Sequence, residues 1–519
     1  MKSNSRSPKS DKDSLLIVNN SLIFQHKSEK NPLSKQSLVL LSSAIDTVLK
    51  PQSNILISLE GVSQNQYIKK IACFLQYQNH KIYEYDKHVS IPLMVDEFVL
   101  KNEAIDYLIK ISISIQNQLI KIQIKDKNFD NLNSQTINEI KNIYQKKPFF
   151  NFDYNSRQFE QIEYKKYLDL LTSKEQILKP FLHIKQRYLS THLLSYTMKT
   201  NADILEKLLI NNESRKTFKT LRKPHSFKFL KFLALFTKRR LLKQNIKNIF
   251  HIEANSQLKV GLLLNNKYRF LSSNFLALIY LDFYLEEYKR SKFDISQFKI
   301  LIPYTANYAV KDLLNQYHIQ WEYFDENTYK KYKNDRNFVF AYTENYFMPN
   351  PQYSLEFNNY YFFACLEWML NSYVNRNNLL NYKYNKLIET FGIVKTKHEE
   401  YKLQPKNIKY IASFIRNLYS GKKDKEWALM EVIEKWDNGK YYLFRVETIK
   451  KHEILIYYDY YKNKICVDLK MCMVYQYRSN YSFLDHFKLQ FKIWKITNML
   501  RKYVKKQKKS EKQQSKLKI

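Results

Sequence analysis

"FKILIPYTANYAVKDLLNQYHIQWEYFDENTYKKYKNDRNFVFAYTENYF", residues 298–347, decides the fold. FKILIPYT (298–305) is an apolar run of strand length. NYAVKDLLNQYH (307–318) carries apolar residues at helical spacing. IQWEYF (319–324) and NFVFAYTENY (337–346) return to strand texture, and SSNFLALIYLDFYLEEYKR (272–290) before them reads as a long helix. Strands alternating with helices predict an α/β layer.

The alternation recurs towards the N-terminus. NILISLEGVS (54–63), NQYIKKIACFLQYQ and HKIYEYD give strand, helix and strand; a helix-like segment over 92–105 and the alternating run IKISISIQNQLIKIQI follow. YLSTHLLSYT, NADILEKLLINN and KNIFHIEA give another unit, and NYYFFACLEWMLNSYV and LLNYKYNKLIETFG read as closing helices. From about residue 405 the texture changes to a predicted helix, EWALMEVIEKW, a turn at Asn438 and Gly439, and three Tyr-rich strands. The expected organisation is a polar lead (1–14), α/β units over 15–150, 151–260 and 261–400, a smaller α+β module over 401–480, and a basic tail over 481–519.

Composition excludes several classes. The chain of 519 residues has 5 glycines, where average usage of ~7% would supply about 36. They stand at 61, 261, 392, 421 and 439, so no Gly-rich phosphate loop or dinucleotide fingerprint is present. Cys73, Cys365, Cys466 and Cys472 form no CxxC pair, which argues against a structural zinc site and fits a reducing compartment. The N-terminus lacks the apolar core of a signal peptide and no stretch reads as a membrane span, so a cytoplasmic, soluble protein is expected.

The net charge is +37. Tyr, Phe, Asn, Lys and Ile are over-used together, as in a protein from an AT-rich genome, which explains much of the lysine. Residues 215–247 nevertheless hold twelve Lys or Arg and no acid. They read as a helix with a Lys-rich outer face and an apolar side from Phe229, Leu230, Leu233, Ala234 and Phe236. Nucleic-acid binding through this stretch and the basic tail is a functional alternative, although no RNA-binding signature, zinc knuckle or helix-turn-helix accompanies it.

Three α/β units followed by a small α+β module resembles the α-D-phosphohexomutase superfamily, the phosphoglucomutases and phosphomannomutases. YRFLSSNFLALIYLDFYLEE resembles the family's "yrfLnGNeigaLLldYlle", and FVFAYTENYF its "FlFGyEESyG". The resemblance implies three consecutive α/β/α domains with mixed sheets and a C-terminal α+β domain. It also implies chemistry in which a phosphoserine exchanges its phosphoryl group with a hexose phosphate. That reaction uses Mg²⁺, a sugar-reading loop and a cationic phosphate cradle.

Each part can be placed on this chain. The family's serine loop, TASHNP, falls on KISISI (110–115), which puts Ser112 at the nucleophile and Ile113, Ser114 and Ile115 where His, Asn and Pro stand. The same residues alternate as in an ordinary half-buried strand, and Lys110 is the one cation close by in sequence. The metal loop, DPDADRLG, falls on ANSQLKVG (254–261); its aspartates become Ala254, Ser256 and Leu258, and its arginine Lys259. Shifting the register brings in Glu253 and Asn255 and still one carboxylate, too few hard oxygens for Mg²⁺. In the sugar loop, GyEES becomes AYTEN, with Thr343, Glu344 and Asn345 as candidate substrate ligands; the later RDKDG becomes LEFNN (355–359). The phosphate cradle, RPSGTEPK, falls near RVETIKKHE (445–453), where Arg445, Thr448, Lys450 and Lys451 could hold an anion. Glu447 intrudes and the glycine is missing.

Failure of several motifs within an intact hydrophobic pattern points to a non-catalytic homologue with residual affinity for sugar phosphate, needing no cofactor. The alternative is an active mutase on hexose or pentose phosphates, for which Mg²⁺ would be required. No protein partner is legible, and whether a distant carboxylate such as Glu60 replaces a lost ligand is left open.

Overall fold

A computed structural model describes residues 15–18, 20–25, 33–61, 66–87, 89–114, 119–148, 150, 152, 158–172, 191–210, 218–221, 223–351, 354, 356–376, 379–403, 407–408, 410–413, 427–437, 439–448, 451–460 and 462–473, with scattered positions beyond 490. Its strands form four sheets, one per domain. The first holds β1 (Leu15–Val18), β2 (Ser21–Gln25), β3 (Asn54–Glu60), β4 (Lys81–Tyr85), β5 (Tyr107–Ser114), β6 (Leu119–Asp126) and β7 (Glu160–Ile162), in the order β1-β2-β6-β5-β3-β4-β7. β3 runs parallel to β4 and β5, whereas β5, β6, β2 and β1 pair antiparallel, so the sheet is mixed. The second holds β8 (Thr191–Tyr196), β9 (Phe218–Thr220), β10 (Ile246–Ile252), β11 (Leu258–Leu264) and β12 (Lys267–Phe270), in the order β12-β11-β10-β8-β9.

The third sheet, order β14-β13-β15-β16, comprises β13 (Lys299–Ile302), β14 (Gln320–Tyr323), β15 (Phe338–Tyr342) and β16 (Phe347–Met348). Its helix Tyr308–Gln316 fills the predicted crossover. The fourth is wholly antiparallel: β17 (Ile393–Lys402), β18 (Trp427–Asp437), β19 (Lys440–Thr448), β20 (Glu453–Asp459) and β21 (Lys464–Met473), in the order β17-β21-β20-β19-β18. The α/β expectation with mixed sheets and a smaller α+β domain therefore holds.

Strand alternation positions the site. Ile55, Ile57 and Leu59 of β3 and Ile109, Ile111 and Ile113 of β5 bury one face of the first sheet against helices Lys35–Val48, Gln66–Tyr77 and Ser134–Lys146. Ser58, Glu60, Lys110 and Ser112 occupy the opposite face. That face turns towards the largest core, which the second and third domains share through the almost wholly buried helix Asn359–Asn375. Phe250 of β10 meets Phe363 of this helix edge to face at 4.8 Å.

Sheet pairing runs across the expected domain limits: β7 lies past residue 150 yet pairs with β4, β11 spans 260/261, and β17 spans 400/401. Two expectations are corrected. The predicted helix EWALMEVIEKW is a strand over its described residues from Trp427, because β18 pairs with β19 across the turn at Gly439, and this pairing overrides the helix-forming Ala, Leu, Met, Glu and Lys. Residues 215–247 are not one helix with a single apolar side. Leu230 and Ala234 of helix Phe227–Phe236 are buried, while Phe229 and Phe236 are exposed.

Candidate functional site

The site assembles where the ends of β3 and β5 meet the β10–β11 hairpin and the start of helix Asn359–Asn375. Glu60 closes β3 and lies beside Ser112 in the parallel register. Gly61 follows with φ 88°; a Cβ there would stand 2.3 Å from the Ile113 carbonyl oxygen, so only glycine lets β3 turn away so close to β5. Ser112 Oγ donates to Glu60 Oε2 at 3.2 Å. Lys110 shares that face but is fully engaged: its ammonium donates to Asp96 Oδ2 (2.6 Å), Ser58 Oγ (3.0 Å) and the Ile91 carbonyl (2.5 Å). It is held away from Ser112 in a buried ion pair. Opposite Ser112 on β6 stands Lys121, whose ammonium is pushed below its usual range by burial.

The loop at the metal position is a tight turn, with Ser256 N bonded to the Glu253 carbonyl at 3.0 Å and Ser256 at φ 62°. This left-handed backbone aims the Ser256 hydroxyl out of domain II. It donates to Glu60 Oε1 at 3.1 Å and lies 3.1 Å from the Tyr360 hydroxyl. Since Ser256 has one proton and gives it to the carboxylate, Tyr360 must donate to Ser256. A continuous chain runs Tyr360, Ser256, Glu60, Ser112. Burial raises Tyr360 well above the ordinary phenol range, which keeps it a neutral donor.

Neighbouring bonds fasten the same turn to the sugar-loop position. Asn359 Nδ2 donates to the carbonyls of Ser256 (2.9 Å) and Asn345 (2.8 Å), and its Oδ1 accepts from Phe347 N (3.0 Å). Lys259 Nζ donates to Asn345 Oδ1 at 2.5 Å, and Tyr346 OH to the Asn255 carbonyl at 3.2 Å. Burial lowers the Lys259 ammonium and raises the Glu253 carboxyl, the latter against the pull of Lys259. Thr343 is buried between β15 and β16. Glu344 forms an ion pair with Lys440 at the start of β19; burial works to raise its pKa, but Lys440 and then Lys470 outweigh it and hold the carboxyl below its usual range.

The cradle position behaves differently. Arg445 is 0% exposed. Its guanidinium donates to Glu453 Oε1 (3.1 Å), the Tyr304 carbonyl (2.7 Å) and the Tyr323 hydroxyl, and stacks 4.4 Å from the Tyr323 ring. Arg445 thus pins domain IV to domain III instead of facing an open pocket. Lys451 pairs with Asp312, and Glu447 with Lys311 at 2.7 Å. Thr448 ends β19, its side chain lying outside the described set, as does Lys450 altogether. The structure therefore brings Ser112, Ser256 and Asn345 into one network through Glu60, Asn359 and Tyr360, and leaves Arg445 out of it.

Mg²⁺ finds a poor donor set here. Ala254 offers no ligand, Leu258 is the first residue of β11 with 2% of its surface exposed, and each oxygen of Glu60 already accepts from a serine. The residues present do not fit a hard octahedral ion. Among the described residues, the group of His, Cys and acid side chains close enough to share a metal is His398, Glu400 and Cys466 on the fourth sheet. There His398 already bonds Asp468 (2.5 Å) and Glu400 (2.9 Å), and Glu400 also holds Lys462 and Lys464.

Tyr360 and Asn359 carry the site; the sequence placed Asn359 only as the last residue of LEFNN and did not single out Tyr360. The signal was partial: LEFNN marked their neighbourhood, yet nothing local says that a tyrosine opening a buried helix reaches a serine 104 positions earlier.

No protein-family model matches the sequence, and no curated protein compared with it matches. Solved structures do. A phosphoglucomutase/phosphomannomutase family protein from Burkholderia thailandensis superimposes with a TM-score of 0.63 at 12% identity, over 88% of this chain and 93% of that one. The open form of the exocytosis-sensitive phosphoprotein pp63/parafusin, a phosphoglucomutase from Paramecium, does so with a TM-score of 0.62 at 11% identity, over 92% and 94%. At such identities the likeness is one of fold, and the chain shares the multidomain α/β fold of these phosphoglucomutase and phosphomannomutase structures.

Proposed function

We propose that this chain is a phosphohexomutase-fold protein that has given up phosphoryl transfer and acts as a non-catalytic binding or scaffolding protein, with sugar phosphate as its residual ligand class. The observation that carries this reading is the network Tyr360–Ser256–Glu60–Ser112. A nucleophilic serine needs a free approach and a cation to neutralise the transferring oxygens. Ser112 instead lies within a paired strand, its hydroxyl bonded to a carboxylate, and the serine at the metal position bonds the same carboxylate. A phosphate brought to Ser112 would meet the negative charge of Glu60.

An active mutase is the competing reading, and one contact favours it: Glu60 is placed to accept a proton from Ser112. Assay with glucose 1-phosphate and mannose 1-phosphate in the presence of Mg²⁺ separates the two. The expected result is turnover indistinguishable from that of Ser112→Ala; sustained turnover well above that control sinks the proposal. Residual binding is read independently as a rise in melting temperature with a hexose bisphosphate, ~2.7 kcal/mol of stabilisation at a hundredfold excess over the dissociation constant.

A further inference from the structure

The strongest feature outside the site lies on helix Phe227–Phe236 in domain II. Ser226 caps it, and Leu230 and Ala234 bury its inner face against Leu193, Leu241, Ile246 and Ile249. Phe229, Phe232 and Phe236, spaced by three and four residues, fall on the side directly opposite. They are 46%, 57% and 73% exposed, and Leu242 on the next helix adds 40%. Large apolar side chains in a row on the solvent side of a helix signal a contact surface. The charge carried by this stretch has one sign: Lys223, Lys228, Arg239, Arg240 and Lys243 are exposed, and 215–247 contains no acid.

We propose that this ridge docks on an anionic lipid surface, its Phe side chains entering the headgroup boundary while the lysines and arginines bind the lipid phosphates and carboxylates. An apolar ridge rimmed by basic residues is the chemistry of an interfacial helix, which lies in the membrane plane. The alternative, bases of a single-stranded nucleic acid stacking on the rings, is disfavoured by geometry. Phe232 and Phe236 press together with centroids 4.2 Å apart, and Phe229 is stacked on His225 at 5.0 Å, so the ring faces are already partly used. Insertion needs edges and area, which remain exposed.

The full chain is mixed with vesicles of phosphatidylcholine alone and with vesicles in which about a third of the lipid is phosphatidylserine, then sedimented. The expected result is sedimentation with the anionic vesicles only, weakening as salt rises, and a loss of about tenfold or more in Phe232→Ser/Phe236→Ser. A second variant, Lys228→Glu/Lys243→Glu, should lose binding as well. These side chains are exposed, so circular dichroism and melting temperature should match the parent protein; if one variant misfolds, the other decides. Failure of the parent protein to bind anionic vesicles overturns the proposal, as does full binding by the Phe variant, which would leave charge alone. Preferential capture of a single-stranded RNA oligonucleotide, or a concentration-dependent dimer abolished by the Phe substitutions, would replace the lipid with another occupant.

Discussion

At Glu60 one carboxylate serves two hydroxyls from different domains, Ser112 from its own sheet and Ser256 from the β10–β11 turn. Each bond is modest, on the order of 1 kcal/mol net, but a chain of them in a water-poor setting is cooperative. Tyr360→Phe removes the first donor and should cost about 0.5–1.5 kcal/mol in denaturant unfolding. Ser256→Ala removes the middle link and leaves the Tyr360 hydroxyl and one Glu60 oxygen without it. The double variant should be less destabilised than the sum by about 0.5 kcal/mol or more, since neighbours in one network couple. Strict additivity would mean that the hydroxyls act separately.

Among elements, β8 and β10 carry the second domain's most unusual titration. Burial holds His192 down to about 3 and His251 to about 4, from 6.5 in an open chain, with Lys259 and His225 adding to the effect at His251. His192 Nδ1 lies 3.0 Å from the Asn248 amide, and His251 Nδ1 lies 3.1 Å from Ser195 Oγ, contacts that a neutral ring satisfies. The unfolded chain takes up these protons below about 6.5 while the native state refuses them; stability must fall on acidification, by up to ~1.4 kcal/mol per pH unit per ring. Unfolding midpoints followed from pH 7 to 5 should show this loss, and His192→Gln should flatten the slope. At this scale the sequence was readable wherever periodicity and burial agree, as in β13, the helix Tyr308–Gln316 and β15. It misled where a partner strand decides: nothing within 427–437 announces β19, and nothing within 227–236 says which of its apolar residues meet the sheet.

Across the whole molecule, the domains meet through long-range pairs that no local pattern encodes, among them Ser256 with Glu60, Lys125 with Glu356, Glu344 with Lys440, and Arg445 with Tyr304 and Tyr323. Architecture was legible because the α/β domains repeat their hydrophobic pattern; the wiring was not, because its partners lie up to 306 positions apart, as Asn20 and Glu326 do. Arg445→Ala should cost about 3 kcal/mol or more, because it strips a partner from the buried Glu453. Limited proteolysis should then cut domain IV free sooner than in the parent protein, and unchanged cleavage would deny the guanidinium a role between domains. Leu258 has a different consequence. Its side chain belongs to the core that the second and third domains share. An aspartate at that position would have to lie unhydrated in that core, so the chain would lose its native packing before it gained a ligand. A carboxylate-rich loop at this turn would therefore require the surrounding core to change with it, so no single substitution at Leu258 installs a metal site there.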